Sequence, residues 1–135
     1  MTACVVDSSA WVSTLIPSDA RGVQVQQLLN DFDEWWVPDA FDLEVLYAMR
    51  GHMLRGTISI EELLGIGIAL MRLPFQRVST TTLNMRIVSL APVISTYDAA
   101  FVALAELLGA PLVTADARLA RASGPRCEFV LVGAN

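Results

Sequence analysis

The stretch from Ser95 to Ala122, "STYDAAFVALAELLGAPLVTADARLARA", holds three elements in succession, with aspartates near two of their starts. Residues 95–109 place apolar side chains at helical spacing, "PLVT" at 111–114 reads as a short strand, and "DARLARAS" from Asp116 reads as a short second helix. A strand running into an aspartate occurs once more, at the start of the chain. There "ACVV" ends on Asp7 and leads into the helical "SSAWVSTLI", which stops near Pro17. In a parallel sheet both carboxylates emerge at the same carboxyl edge, the place where open α/β sheets collect ligands.

The rest of the chain continues the alternation. "DARGVQVQQLLND" is a helix with Asp19 as its cap, and "EWWVP" at 34–38 is a strand closed by Pro38. Trp35 and Trp36 are adjacent, so on a strand they face opposite ways, and one is expected at the surface or at an interface. From Asp39 to Gly56, Ala40, Leu43, Leu46 and Tyr47 recur at helical spacing. "SIEELLGIGIALMRL" is a further helix, with Ser59 and Glu62 in capping-box register. "PFQRVS" is a strand, "TTLNMRIVSLA" a helix and "EFVLV" a last strand. No repeat, linker or low-complexity tract interrupts them. The pattern predicts a single domain over residues 1–135, an α/β fold built as a three-layer α/β/α sandwich around a central parallel sheet.

Composition excludes several chemistries. The 135 residues include two cysteines and one histidine, so neither a disulfide framework, a paired-thiol zinc site nor a multi-histidine metal site is available. All nine basic residues are arginine, which removes Schiff-base and Walker-lysine enzymes. His52 follows no nucleophile elbow and fits a surface or helix-dipole role. The longest uncharged apolar run, Leu63 to Met71, falls well short of the ~20 residues that span a bilayer. Without a signal-peptide pattern at the start, the expected location is the cytoplasm, with no membrane association. Hydrophobic residues make up 54% of the chain, a proportion that predicts an apolar surface covered by a partner.

Four acids are set apart by position. Asp7 and Asp116 follow strands, Asp98 lies in the first turn of its helix, and Glu44 lies inside a helix among Leu43, Leu46 and Tyr47. Each also has a structural reading. Asp7 and Asp116 can cap the helices they precede, Asp98 stands three residues after Ser95 in an S-x-x-D capping pattern, and Glu44 can be solvated, as Asp42 is expected to be. Together, carboxylates without histidine or thiolate suit a hard divalent cation, magnesium or manganese.

The 95–122 stretch resembles the C-terminal half of PIN-domain proteins, in particular the VapC-type toxins of bacterial toxin–antitoxin pairs. "VVDSSAW" resembles their opening strand and helix, and "DAFDLEVLYAMRG" the segment that carries their helical glutamate. The resemblance implies that Asp7, Glu44, Asp98 and Asp116 form a catalytic, metal-binding quartet, with Ser8 and Thr114 as polar neighbours. It also implies metal-dependent cleavage of RNA, a homodimer, and a cognate antitoxin whose tail covers an apolar groove over the site. Trp11, Leu15, Leu43, Leu46, Tyr47 and the 63–71 helix are the expected groove lining, though each also fits a core role. Many members carry a further acid shortly after the one matching Asp116. Ala117 and Arg118 stand there instead, which leaves a second metal position in question.

Removing the four proposed ligands takes the net charge from −5 to −1, so arginines can act locally on a near-neutral surface. Arg118 and Arg121, after Asp116, are the candidate contacts to RNA phosphates, with a solvated arginine face as the alternative. A receiver domain is excluded by the missing lysine. An adhesion module's D-x-S-x-S is broken at Trp11, and a haloacid-dehalogenase-like phosphatase needs an aspartate where Ser9 stands. The remaining rivals are a PIN-like protein that binds RNA without cutting it and a related nuclease acting on DNA.

Overall fold

The computed structural model describes residues 2–133. The elements follow in the order β1 (Ala3–Val6), α1 (Ser8–Leu15), α2 (Arg21–Leu29), β2 (Glu34–Pro38), α3 (Phe41–Leu54), α4 (Ile60–Arg72) and β3 (Phe75–Val78). A 3-10 turn at Thr80–Leu83 then leads into α5 (Asn84–Leu90), α6 (Thr96–Leu108), β4 (Leu112–Thr114), α7 (Ala117–Arg121) and β5 (Phe129–Leu131). The five strands lie in the order β3-β2-β1-β4-β5 and every neighbouring pair is parallel. Right-handed crossovers then put α1 to α4 on one face and α5 to α7 on the other. The chain reverses direction across the sheet between β1 and β4, which is the switch point of this topology.

The central strands are apolar on both faces because both are covered. Cys4, Val5, Val6, Leu112 and Val113 have no solvent exposure at all. Helix α6 supplies much of the opposing surface. Its residues from Ala99 to Ala105 are all buried, and the helix packs against β1, β2 and α5. Burial all the way round a helix needs small side chains on its crowded sides, which Ala99, Ala100, Ala103 and Ala105 provide. Gly109 ends α6 in the left-handed conformation (φ 62°), where a Cβ is unfavourable. On the opposite layer Phe75 is packed by Trp11, Trp35 and Phe41, whose ring centroids lie 4.8–5.8 Å away.

Several local expectations are revised. Helix α2 has Ala20, not Asp19, at its cap position; the Asp19 carboxylate accepts the Arg21 amide at 3.0 Å and pairs with the Arg21 guanidinium at 2.7 Å. Trp35 and Trp36 are both half-buried, with their indole N–H groups donating to the Leu29 carbonyl and the Glu34 carboxylate. The buried face of α3 is Phe41, Val45 and Met49, whereas Leu43 and Tyr47 are exposed. Helix α3 carries two apolar stripes: the one at 41, 45 and 49 is buried in the core, while of the other only Leu46 packs against it. The capping box is present at Ser59 and Glu62. The His52 ring lies 3.2 Å from the Thr57 hydroxyl beside the end of α3, and Cys4 and Cys127 are free thiols.

Glycine substitutions of opposite sign test this packing. A Cβ on Gly22 would stand 2.5 Å from the Ser13 carbonyl oxygen, so Gly22→Ala must part α1 from α2. A Cβ on Gly65, inside α4, meets nothing. Urea unfolding should show Gly22→Ala destabilised by about 1–3 kcal/mol and Gly65→Ala stabilised by up to about 1 kcal/mol.

Candidate active site

Asp7 leaves the carboxyl end of β1 beside the end of β4, its amide still bonded to the Val113 carbonyl at 2.9 Å. It is 3% exposed, and although it holds the cap position of α1, its carboxylate makes no capping bond. The helix-cap reading of this side chain is therefore set aside. Asp7 Oδ2 accepts two hydroxyl bonds at 2.7 Å, from Ser9 and from Thr114. The same hydroxyls accept amide bonds from the loop after β4: Ala115 donates to Ser9 Oγ at 3.1 Å and Asp116 to Thr114 Oγ1 at 3.0 Å. An ionised carboxylate only accepts, so each hydroxyl proton is committed to Asp7 while its lone pairs take the amide. Burial nevertheless dominates and lifts the Asp7 pKa to about 6; the two hydroxyls oppose the rise and the charges of Asp98 and Asp116 add to it.

Glu44 reaches the same place from the first turn of α3. Ser8 Oγ donates to its Oε1 at 3.2 Å, and its Oε2 is the one buried side-chain polar atom among the described residues with no hydrogen-bond partner. Burial, then the Asp7 charge, raise its pKa to about 7, the Ser8 bond offsets part of that, and Asp98 contributes last. Asp98, in the first turn of α6, donates its backbone amide to Ser95 Oγ at 3.1 Å. Its carboxyl is raised first by burial and then by the Asp116 charge, against the Ser95 hydroxyl and Arg118. Asp116 does cap α7: Oδ1 accepts the amides of Arg118 at 2.9 Å and Leu119 at 3.2 Å.

The fold thus brings the four acids from four elements into one electrostatically coupled group. They do not form a closed ligand shell, for among the described residues no three carboxylate, imidazole or thiol groups are gathered around one point. Like charges favour such spacing. The oxygen-only donors and the unpaired Glu44 Oε2 both suit a hard divalent cation. Ser8 and Thr114 touch acids of the group, Ser8 on Glu44 and Thr114 on Asp7. Ser9, which sequence reasoning missed, touches Asp7 as well; its signal was the D-x-S spacing, weighed only as part of other motifs. Arg118 and Arg121 are exposed on α7, and neither enters an ion pair among the described residues. Arg77 instead fixes Asp42 at 2.9 Å, so Asp42 is ion-paired and not merely solvated.

A cleft of about 1490 Å³ opens from Glu44 and Asp98 between α3 and α4. Leu43, Leu46 and Tyr47 line it together with Leu63, Leu64 and Met71 of α4. Trp11 and Leu15 do not. They lie in a separate depression beside Ile66 and Leu70, and both pack on the core, because Trp11 is held against Phe75.

The sequence matches the PIN domain over residues 4–125. The chain belongs to the PIN-domain family, among its VapC members. It is 34% identical over 128 residues to ribonuclease VapC12 of Mycobacterium tuberculosis, covering 95% of this chain and 98% of that protein. The fold is shared with the crystal structure of VapC20 of M. tuberculosis, described as a sarcin-ricin loop cleaving toxin, at a TM-score of 0.68 and 14% identity, over 86% of this chain and 92% of that one. It is shared also with VapBC2 from Rickettsia felis, solved bound to a DNA fragment from its promoter, at a TM-score of 0.66 and 12% identity, over 97% and 99% of the chains.

A raised carboxyl pKa has a defined effect on stability. Between 4.5 and about 7, folded Glu44 holds more proton than the unfolded chain does, so in chelator stability falls as pH rises through that window and stays reduced above it. Replacing Glu44 by Gln removes this contribution. Urea midpoints measured from pH 4.5 to 8 should show wild type losing ground to Glu44→Gln as pH rises, whereas parallel curves would refute the burial of that charge.

Proposed function

We propose that this protein is a metal-dependent endoribonuclease that acts as a toxin in the cytoplasm and is restrained by a cognate VapB-type antitoxin. The observation that carries the reading is Glu44 Oε2, a buried oxygen without a donor, set within a group of four coupled carboxylates at the switch point of the sheet. A structural ion-pair network would have placed an arginine there. Asp7, Glu44, Asp98 and Asp116 would hold magnesium, with manganese able to substitute. When bound, such a cation supplies positive charge against the phosphate transition state and lowers the pKa of an attacking water. Ala117 and Arg118, in place of a further acid, favour a single ion.

The chain's own residues do the rest. Ser9 and Thr114 fix the Asp7 carboxylate from one side, so its remaining oxygen holds a constant position. Asp98, whose carboxyl is drawn above the usual range, can receive the proton of the attacking water. Arg118 and Arg121 give the RNA phosphates their contacts. The antitoxin would lay an amphipathic segment into the cleft between α3 and α4, with a basic residue toward the carboxylates. A homodimer would cover part of the remaining exposed apolar surface. Among the described residues no helix is long and apolar enough to cross a membrane.

The test is cleavage of a total RNA pool with magnesium, with manganese and with chelator. Cutting should require the cation and fall at least about a hundredfold in Asp98→Asn; Thr114→Val, which strips one donor from Asp7, should cost about 10–100-fold. Cutting that survives chelator, or that Asp98→Asn leaves intact, would refute the assignment.

A further inference from the structure

The chain has three tryptophans, five phenylalanines and two tyrosines, and among the described residues only the tyrosines are exposed, Tyr47 at 75% and Tyr97 at 60%. Both line the one cleft that holds Glu44 and Asp98. Tyr97 immediately precedes Asp98 at the start of α6. Tyr47 follows Glu44 by three residues on α3, one turn further along the same side. Two solvent-facing aromatic rings from different helices thus line the same cleft as the two acids. Two such open rings on one apolar-lined cleft belong to an exposed patch, the kind of surface that marks an interaction site.

We propose that Tyr47 and Tyr97 are base-stacking platforms that seat unpaired nucleotides of an RNA strand next to the scissile phosphate. The inference rests on the ribonuclease reading above and adds two residues of this chain that position the strand. A strand whose phosphate lies at the carboxylates brings its neighbouring bases alongside these rings, and every base offers a π-face. The Arg118 charge, which reaches Asp98, meets the same backbone from α7. Leu64, Ile68 and Met71 of α4 are exposed across the same cleft, so an antitoxin segment seated there would compete with the strand.

The probe is an unstructured RNA 12-mer with one central 2-aminopurine, whose fluorescence is quenched by stacking, titrated with the full-length protein in calcium and in chelator. Wild type should quench the probe. Tyr47→Phe and Tyr97→Phe should preserve the quench, while Tyr47→Ala and Tyr97→Ala should each reduce it and weaken binding about 5- to 100-fold, and the double Ala variant should abolish it. In a probe with an abasic site at the stacked position, the Ala variants should bind as wild type does. Equal binding and quenching by the Ala variants overturns the proposal, as does a loss in the Phe variants equal to that in Ala. So does an Ala effect confined to capture of an antitoxin peptide. If no RNA is cut under any metal condition while the tyrosine-dependent quench persists, the nuclease reading fails and the platforms stand. If RNA is cut and the Ala variants cut and bind normally, the platforms fail alone.

Discussion

The Asp7 carboxylate is buried at the end of a central strand, and a buried negative charge must be supported or lost. Its support comes from two hydroxyls on two elements, Ser9 in α1 and Thr114 at the end of β4, each held in turn by an amide of the loop that follows β4. This arrangement ties the first strand to the fourth across the switch point. It also fixes where the β4–α7 loop must run, and hence where Asp116 stands. The support is incomplete, since the Asp7 pKa still rises to about 6. The site keeps a charge deficit that a cation would answer.

That deficit shapes the surroundings. Parallel strands need crossovers, and the crossovers from β2 and to β4 deliver the first turns of α3 and α6 to the same sheet edge. Glu44 and Asp98 ride on those turns. Neither finds an arginine at ion-pairing distance; the three close pairs among the described residues lie elsewhere, at Asp19, Asp42 and Glu106. The chain thus pairs Asp19, Asp42 and Glu106 with arginines and leaves the acids at the cleft without a close ion pair. The cleft walls are apolar where they leave the acids, and in such surroundings charge is more strongly felt.

Much of this was legible in the sequence because strand ends and helix starts are local signals. The apolar runs at 3–6 and 112–113 each meet polar residues abruptly, and the parallel sheet follows from their alternation with helices. The faces of α3 were harder. Phe41, Val45 and Met49 compete with Leu43, Leu46 and Tyr47, and periodicity alone cannot say which stripe meets the sheet. The choice between Ser8 and Ser9 as Asp7's partner was equally hidden, since it depends on a single residue of helical phase, about 100° of rotation. Trp11 fails as a groove residue because Phe75, distant in sequence, captures it. Asp116 shows the converse: a cap and a member of the acidic group can be one residue, with Oδ1 serving the helix.

If these four carboxylates hold one divalent cation, the ion can be located directly. Anomalous scattering from a crystal of the protein grown or soaked in manganese tests it without relying on any substrate. One strong peak is expected among Asp7, Glu44, Asp98 and Asp116, ligated by oxygen at about 2.0–2.3 Å. Asp7 should keep its bonds to Ser9 and Thr114 with the ion in place. A peak bound elsewhere, or none at these carboxylates when manganese is in excess, would contradict it.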